Sequence, residues 1–236
     1  MSTMILPGDE FHLESRENVL LGPGAYCDPR NQKVQPVTAG FEVVTETKKN
    51  VSVHVEHNSK RYIPAVGDLV VGLITGSFSD SYRVSLSNFS TPVTLSYMAF
   101  PNASKKNRPS LKVGDLVYAR VCKADKELEA EVECVDSSTG KDAGFGLLEG
   151  GTIAEVSLAF CRELTFNGDY PLLSLLAKNA QFEVAIGING KVWFKCDDIR
   201  HTMACYRSIT ECEHRTQSEH KSIISKHFKT LLNSVP

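Results

Sequence analysis

One stretch of the chain repeats another with the same order of turn and strand residues. Residues 64–74 read Pro-Ala-Val-Gly-Asp-Leu-Val-Val-Gly-Leu-Ile, and residues 111–121 read Leu-Lys-Val-Gly-Asp-Leu-Val-Tyr-Ala-Arg-Val. In each copy a glycine, Gly67 or Gly114, precedes an apolar, β-prone run. Glycine is a turn residue, and β-prone runs bounded by turn residues indicate strands. The repeat therefore predicts two strands, each entered through a turn, within one β domain.

Five strands are predicted around this repeat, with a long connection between the third and the fourth. Their predicted bounds are Leu69–Thr75, Tyr82–Leu86, Val93–Leu95, Leu116–Ala124 and Leu128–Val135. Five short strands with one long connection and a basic surface are typical of the OB fold. We therefore predict a five-stranded OB barrel over residues 61–146.

The fifth predicted strand alternates strictly between apolar and acidic residues. Leu128, Ala130 and Val132 are expected to face inward, with Glu127, Glu129, Glu131 and Glu133 facing outward. A two-metal nuclease site is the alternative interpretation of the four glutamates. Such sites gather carboxylates from several elements around one point. A stripe along a single strand instead indicates a solvated sheet face, so no catalytic residue is predicted.

A basic segment lies inside the predicted barrel. Residues 81–114 hold no Asp or Glu, in a chain whose formal net charge is −2. The basic residues of this segment are Arg83, Lys105, Lys106, Arg108 and Lys112. A cationic surface of this kind is a candidate phosphate-binding surface. The alternative is a solvated loop without a ligand.

Aromatic residues accompany these cations. OB barrels bind single strands by combining cations that follow the backbone with aromatic rings that stack on bases. Phe78 and Tyr82 are the candidate stacking residues, although an aromatic residue in a barrel is as often part of its core. The prediction is therefore an RNA-binding site formed by Phe78, Tyr82, Arg83, Lys105, Lys106, Arg108 and Lys112.

Two further domains are predicted around the barrel. Residues 1–60 hold short β-prone runs between Gly and Pro turns, which predicts a small N-terminal all-β domain. Residues 147–236 predict the order β-α-α-β-β-α, that of a KH domain, with one added helix. Asp169 is expected to cap the second helix. Asn189-Gly190 between two apolar runs predicts a two-residue hairpin turn.

The length and composition of the chain narrow the class of protein. With 236 residues, 42% of them hydrophobic and 23% charged, the composition is that of a globular protein. We expect neither a membrane segment nor a secretory signal. The seven cysteines are expected to be reduced thiols, and their spacing predicts no zinc site. No metal, cofactor or small-molecule substrate is predicted.

Long segments of the chain match motifs of one known protein family. The matching segments cover all three predicted domains. They include Leu21-Gly-Pro-Gly-Ala-Tyr-Cys-Asp-Pro, Ser59-Lys-Arg-Tyr-Ile-Pro, Phe78-Ser-Asp-Ser-Tyr, Leu95-Ser-Tyr-Met-Ala-Phe-Pro-Asn-Ala-Ser-Lys-Lys-Asn-Arg-Pro, Asp142-Ala-Gly-Phe-Gly and Ile186-Gly-Ile-Asn-Gly-Lys-Val-Trp. In these segments the chain closely resembles the yeast-type exosome cap subunits called ribosomal RNA-processing protein forty.

The resemblance implies a non-catalytic RNA-binding subunit of the eukaryotic RNA exosome. It implies RNase PH-like ring subunits and other cap subunits as partners, single-stranded RNA as ligand, and residence in the nucleus, nucleolus and cytoplasm. A free-standing single-strand RNA-binding protein is the alternative. A protein that binds RNA alone is normally basic overall, and this chain is not.

The sequence departs from an RNA-binding KH domain at one motif. Such a domain carries Gly-x-x-Gly between its first two helices, where backbone amides meet phosphates. Here that position reads Phe166-Asn-Gly-Asp-Tyr170. A Gly-x-x-Gly occurs instead at Gly187-Ile-Asn-Gly190, in the predicted hairpin. Gly187, Asn189 and Gly190 are therefore predicted to shape the backbone and the domain packing, with phosphate binding as the alternative.

Overall fold

The computed structural model describes residues 3–13, 19–46, 50–88, 90–104, 106–125, 127–136, 139–141 and 143–233. The chain divides into two compact units, residues 1–59 and 60–236. Within the described residues, no helix is long and apolar enough to span a membrane.

The first unit is a small β domain. Its strands are β1 (Met4–Ile5), β2 (Val19–Leu21), β3 (Ala25–Cys27), β4 (Val34–Pro36), β5 (Gly40–Glu46) and β6 (Val51–Glu56). Four of them form a sheet in the order β1-β5-β6-β2, and β3 pairs with β4. Alternation along β6 places Val53 and Val55 in the core with Ile5 and Phe11.

The second unit begins with the barrel predicted from the repeat. Its strands are β7 (Leu69–Ser77), β8 (Ser81–Ser85), β9 (Val93–Ser96), β10 (Leu116–Lys123), β11 (Glu131–Glu133) and β12 (Gly146–Leu148). Pairing runs β11-β9-β8-β7-β10, and β11 also pairs with β10, which closes five strands into a barrel. The OB barrel is confirmed, and β12 adds a short sixth strand beside β10.

The two copies of the repeat form the same turn. Gly67 and Gly114 have φ of +95° and +100°, which glycine adopts without strain. The Asp68 carboxylate accepts the Ala65 N–H at 3.0 Å, and that of Asp115 accepts the Lys112 N–H at 2.7 Å.

Each turn also pairs with the strand that the other turn begins. The N–H of Gly67 donates to the carbonyl of Val121 on β10, and the N–H of Gly114 donates to that of Ile74 on β7. The repeat is therefore a local two-fold arrangement of antiparallel strands about the barrel's longest pairing.

Part of the fifth strand was predicted wrongly. It begins at Glu131 rather than Leu128, and the Leu128 side chain is 71% exposed instead of facing the core. The N–H of Leu128 donates to the carbonyl of Asp125, so the chain is still turning at this point. Val132 lies in the core as predicted.

The remaining elements form the KH-like fold with its added helix. They are β13 (Thr152–Glu155), α1 (Leu158–Phe166), α2 (Leu172–Ala177), β14 (Phe182–Gly187), β15 (Lys191–Cys196), α3 (Ile199–Cys212) and α4 (Gln217–Asn233). The sheet order is β13-β15-β14, and the helices cover one face of the sheet over a core that includes Phe194, Leu172 and Ile224.

Two local predictions in this domain are corrected. Asp169 does not cap α2, because that helix begins after Pro171 without a side-chain cap. The hairpin loop has three residues, since Gly187 pairs with Lys191. The N–H of Ile188 donates to the carbonyl of Leu69 on β7, which takes Ile188 out of the hairpin ladder.

Candidate nucleic-acid interface

The basic loop, residues 101–112, is anchored to the barrel by Tyr82. The Tyr82 hydroxyl donates to the carbonyl of Pro109 at 2.6 Å and accepts the N–H of Leu111 at 3.1 Å. Its side chain is only 3% exposed, and burial raises the pKa of the phenol, so it stays neutral. Tyr82 was predicted to stack on bases. The structure corrects this, because a ring in the core has no face to offer.

Arg108 joins the basic loop to the β7–β8 turn, residues 78–80. Its guanidinium donates to the carbonyl of Ser79 at 2.9 Å and lies 5.6 Å from the ring centroid of Tyr97. The Tyr97 hydroxyl in turn donates to the carbonyl of Phe78 at 2.5 Å. Loop and turn therefore form one continuous surface, which we call the loop–turn surface.

Arg83 reaches the same surface from β8, but its charge is shared. Its guanidinium lies 5.9 Å from the centroid of the exposed Phe78 ring. It also pairs with the carboxylate of Glu129 at 2.7 Å, and Thr94 donates to the same carboxylate oxygen. The hydrogen bond from Arg83 lowers the pKa of Glu129, so this carboxylate is charged at neutral pH. Exposed pairs of this kind contribute little stability.

The other predicted cations differ in position. Lys106 is exposed on the basic loop. Lys112 is exposed at the second Gly-Asp turn, where its N–H is bound by Asp115. Lys105 lies outside the described residues. Of the predicted residues, the structure brings Phe78, Arg83 and Arg108 together.

Sequence reasoning missed two residues of the loop–turn surface. Tyr97 packs edge-on against Tyr82, with centroids 4.5 Å apart, and carries Arg108 on its ring. Glu129 was predicted to be part of a solvated stripe rather than the partner of Arg83. No local signal marks either residue, because both contacts join segments that are distant in sequence.

Three of the four glutamates of the predicted stripe pair with cations of other strands. Besides Glu129 with Arg83, the Glu131 carboxylate lies 2.9 Å from the Lys123 ammonium, and Glu133 pairs with Arg120. These contacts balance the carboxylates with protein charges. The three carboxylates bind three different cations rather than converging on one point, as the ligands of a metal site would.

The Gly187–Gly190 turn is buried between the barrel and the KH-like domain. The Asn189 side chain is 5% exposed, and its carboxamide oxygen accepts the N–H of Val71 at 3.1 Å. Its nitrogen donates to the carbonyls of Val71 at 2.9 Å and Leu86 at 2.7 Å. One side chain thereby satisfies three backbone groups of the barrel.

Steric constraints explain why the turn has glycine at both of its ends. A Cβ at Gly187 would lie 2.6 Å from the Val71 nitrogen, and Gly190 has a φ of +84°. Beside them, Lys191 is 9% exposed, and burial lowers the pKa of its ammonium. The N–H of Ile188 donates to the carbonyl of Leu69 on β7, and the N–H of Gly190 donates within the turn to the carbonyl of Gly187, so these two amides are not available to a phosphate.

A closed OB barrel with an exposed cation–aromatic surface, fused to a KH-like domain, defines a class of multidomain proteins built for single-stranded nucleic acid. Family models agree with each part. They are the N-terminal domain of "Exosome complex exonuclease Rrp40" over residues 19–61, the S1 domain of "Exosome complex component RRP40" over residues 62–146, and a KH domain over residues 151–200.

Whole-length relatives identify the family. The chain is 57% identical over 235 residues to exosome complex component RRP40 of Saccharomyces cerevisiae, covering 98% of both chains. It is 37% identical over 203 residues to the Schizosaccharomyces pombe component, covering 86% of this chain and 83% of the relative. The chain belongs to the exosome complex component RRP40 family.

A solved structure shares the fold. It is described as an exosome complex RNA-binding protein and is 22% identical, with a TM-score of 0.58, covering 72% of this chain and 98% of that chain. The resemblance noted from the sequence motifs is therefore confirmed at the level of family and fold.

Proposed function

We propose that this chain is a non-catalytic, RNA-binding cap subunit of an exosome complex. In this role it stabilises a ring of RNase PH-like subunits and guides single-stranded RNA into the central channel for 3′-to-5′ processing and degradation. The observation that carries the proposal is the 57% identity over 98% of the chain to the budding-yeast exosome component.

The loop–turn surface supports the RNA-binding part of the proposal. Lys106 and Lys112 expose ammonium groups, Arg108 is fixed against the β7–β8 turn, and the Phe78 ring is 58% exposed. Ammonium groups bind phosphates without reading bases, and an exposed ring stacks on any base. Such a surface suits RNA that passes through regardless of its sequence. Lys105, the sequence neighbour of Lys106, is proposed to contribute a further phosphate contact.

The charge of the chain supports the proposal that tight RNA binding depends on neighbouring subunits. The chain has a formal net charge of −2, and Arg83 is paired with Glu129. Phosphate contacts dominate affinity for nucleic acid, so few uncompensated cations give weak binding. We expect the isolated chain to bind RNA weakly and the assembly to supply the remaining contacts.

The N-terminal unit offers a surface for a protein partner. Met4 on β1 pairs directly with Phe41 on β5, and Leu20 on β2 pairs with Ser52 on the same sheet face. The Met4, Leu20 and Phe41 side chains are 67%, 55% and 47% exposed. Exposed apolar residues on one sheet face are typical of protein interaction sites. We propose that this face binds a ring or cap subunit.

The paired stripe supports a non-catalytic role. One matching family model carries the word exonuclease in its description, so the point requires a direct test. Purified protein is incubated with end-labelled single-stranded RNA and Mg²⁺, and the RNA is expected to remain intact. Degradation that survives stringent purification and is abolished by Glu129→Gln, Glu131→Gln or Glu133→Gln would establish a nuclease.

The assembly role is tested by affinity purification of the tagged protein from its own cells, with mass spectrometry of the co-eluting proteins. We expect RNase PH-like ring subunits and other cap subunits at equal stoichiometry. Recovery of the protein alone, or with ribosomes, would instead favour a free-standing single-strand RNA-binding protein. A matched bait with Met4→Ser and Phe41→Ser is expected to recover less of the ring.

The proposed role also carries a proposed location. A subunit that serves ribosomal RNA processing and general RNA degradation is expected in the nucleus, nucleolus and cytoplasm. Fluorescence microscopy of a chromosomally tagged copy tests this, and confinement to one of these compartments would narrow the role accordingly.

A further inference from the structure

Two thiols of the KH-like domain lie against each other where β15 leads into α3. The Sγ atoms of Cys196 and Cys205 are 3.9 Å apart. Cys196 is the last residue of β15 and is partly exposed, whereas Cys205 lies on α3 and is 1% exposed. A disulfide bond needs its sulfur atoms about 2 Å apart. Bond formation therefore requires the two side chains to rotate and bring the sulfur atoms closer together.

The backbone around the two thiols is held in place. Asp198 caps α3 by accepting the Arg200 N–H at 3.1 Å, and Thr202 donates to the Asp198 carbonyl at 3.1 Å. The N–H of Cys196 donates to the same Thr202 hydroxyl at 3.3 Å. Strand end and helix start therefore share one hydrogen-bonded frame, which keeps the two sulfur atoms facing each other.

We propose that Cys196 and Cys205 form an oxidisable dithiol, which a peroxide converts to an intramolecular disulfide that ties the end of β15 to α3. The RNA-binding surface is not involved, so this modification site is independent of the proposed function.

The partly exposed thiol reacts first. The Cys196 sulfur attacks one peroxide oxygen, the O–O bond breaks, and the leaving hydroxide takes the Cys196 proton as water, which leaves a sulfenic acid. The Cys205 sulfur then attacks the Cys196 sulfur, the S–O bond breaks, and the hydroxyl leaves as water with the Cys205 proton. Two thiols are oxidised and one peroxide is reduced to two waters. A small thiol such as glutathione reverses the bond by exchange.

Because Cys205 is buried, we expect it to react second, with the sulfenic acid of Cys196. Burial raises the pKa of its thiol to about 12, so little thiolate is present at neutral pH and it is a poor first nucleophile. Sulfenic acids condense readily with a neighbouring thiol. The other thiols of the same core, Cys161 and Cys212, are buried, and burial raises the pKa of each to about 12.

The sequence makes the product easy to identify. Trypsin cleaves after Lys195, Arg200 and Arg207, which places Cys196 and Cys205 in two adjacent peptides, residues 196–200 and 201–207. Cys212 falls in the next peptide. The folded full-length chain is treated with hydrogen peroxide at neutral pH, blocked with N-ethylmaleimide in denaturant, and digested without reduction.

We expect the disulfide-linked pair 196–200 with 201–207 as the main oxidised product, lost on treatment with dithiothreitol. The intact chain then binds two fewer maleimides, and its urea unfolding midpoint rises on oxidation and returns on reduction. Cys196→Ser is expected to abolish the linked peptide. Cys122→Ser removes another partly exposed thiol, from the barrel, and is expected to leave the yield unchanged.

Three outcomes would overturn the proposal. The first is sulfinic acid at Cys196 with no linked peptide. The second is linkage of Cys196 to several other cysteines, or between chains, in amounts similar to the 196–205 pair. The third is an equal yield in urea, which would mean that the fold does not present the pair. Because the mapping uses the wild-type chain, a variant that fails to fold does not affect these readouts.

Discussion

The Gly187–Gly190 turn and the basic loop both connect strands, and both carry sequence features associated with nucleic acid. The turn has the Gly-x-x-Gly pattern, whereas the loop has the cations. The turn is buried, and Asn189 binds three backbone groups of the barrel. The loop is exposed, and Tyr82 and Arg108 attach it at its C-terminal part.

This difference teaches that the surroundings of a motif decide its role. Backbone amides bind phosphates only where they are free to donate, and in the turn the N–H of Ile188 donates to Leu69 on β7 and that of Gly190 to Gly187. Ammonium groups on an exposed loop are available to phosphates, although Arg83 shows that a protein carboxylate can share the charge. We therefore expect changes in the turn to alter stability and changes in the loop–turn surface to alter RNA binding.

The largest effect is expected for Asn189→Ala. The change leaves the Val71 N–H and the carbonyls of Val71 and Leu86 without this partner in a buried place, and each such group costs about 1–3 kcal/mol. We expect the free energy of unfolding to fall by about 4 kcal/mol, measured by urea denaturation.

The control for this change is Asn179→Ala, which removes an exposed carboxamide bound to one carbonyl at the end of α2. Its cost is expected to stay below about 1 kcal/mol. RNA affinity per folded molecule should be unchanged in both variants. Weaker RNA binding by Asn189→Ala or Lys191→Ala at unchanged stability and assembly would reverse the comparison, because the turn would then be a phosphate site.

A smaller loss is expected for Tyr82→Phe, which keeps the ring in the core and removes the hydroxyl that holds the basic loop. The Pro109 carbonyl and the Leu111 N–H lose their partner, and we expect unfolding to become about 2 kcal/mol easier. Trypsin cleavage after Lys106 should become several-fold faster. Tyr26→Phe removes an exposed hydroxyl from the other unit and should change neither quantity. Unchanged cleavage in Tyr82→Phe would show that the loop is ordered without this anchor.

The sequence predicted the turns and strands of these two regions better than it predicted the contacts that their side chains make. The Gly-Asp repeat predicted two turns, and both have the same glycine φ and the same aspartate bond. These features depend on residues within four positions of each other, where turn chemistry is decisive. The Asn-Gly pair predicted the hairpin for the same reason.

Contacts between distant segments could not be predicted in this way. The bond from Asn189 to Val71 spans 118 residues, and the pair of Arg83 with Glu129 spans 46. Which partner a side chain meets depends on the barrel's closure and on the domain packing. For the same reason the pattern did not separate Tyr82, which is in the core, from Phe78, which is exposed.

An effect of opposite sign is expected for Glu129→Gln. Removing the carboxylate frees Arg83 for phosphate, and we expect RNA affinity in low salt to rise about threefold, within the range of exposed ion pairs. Because Arg83 lowers the pKa of Glu129, the pair persists at neutral pH and opens only as pH falls through that lowered pKa.

The wild-type affinity should therefore approach that of the variant on acidification. Fluorescence anisotropy with a labelled single strand measures both effects. Glu127→Gln makes the same charge change on the neighbouring exposed residue and should raise affinity less. Equal gains in affinity from both variants would mean that the net charge of the protein sets RNA affinity and that Arg83 does not contact RNA.

The smallest effect, and the most specific one for the basic loop, is expected for Lys106→Ala. Loss of one phosphate contact should lower affinity about twofold and reduce the slope of log K against log salt by about 0.7, the value for one contact with a single strand. The loss should be the same for all homopolymer RNAs, because an ammonium on a phosphate does not read bases. Lys178→Ala makes the same charge change on an exposed lysine of the KH-like domain and should leave the slope unchanged. Lys105→Ala is expected to behave like Lys106→Ala. A loss confined to one base, or an equal change in Lys178→Ala, would remove the basic loop from the path of the RNA and leave Phe78 and Arg108 to account for binding.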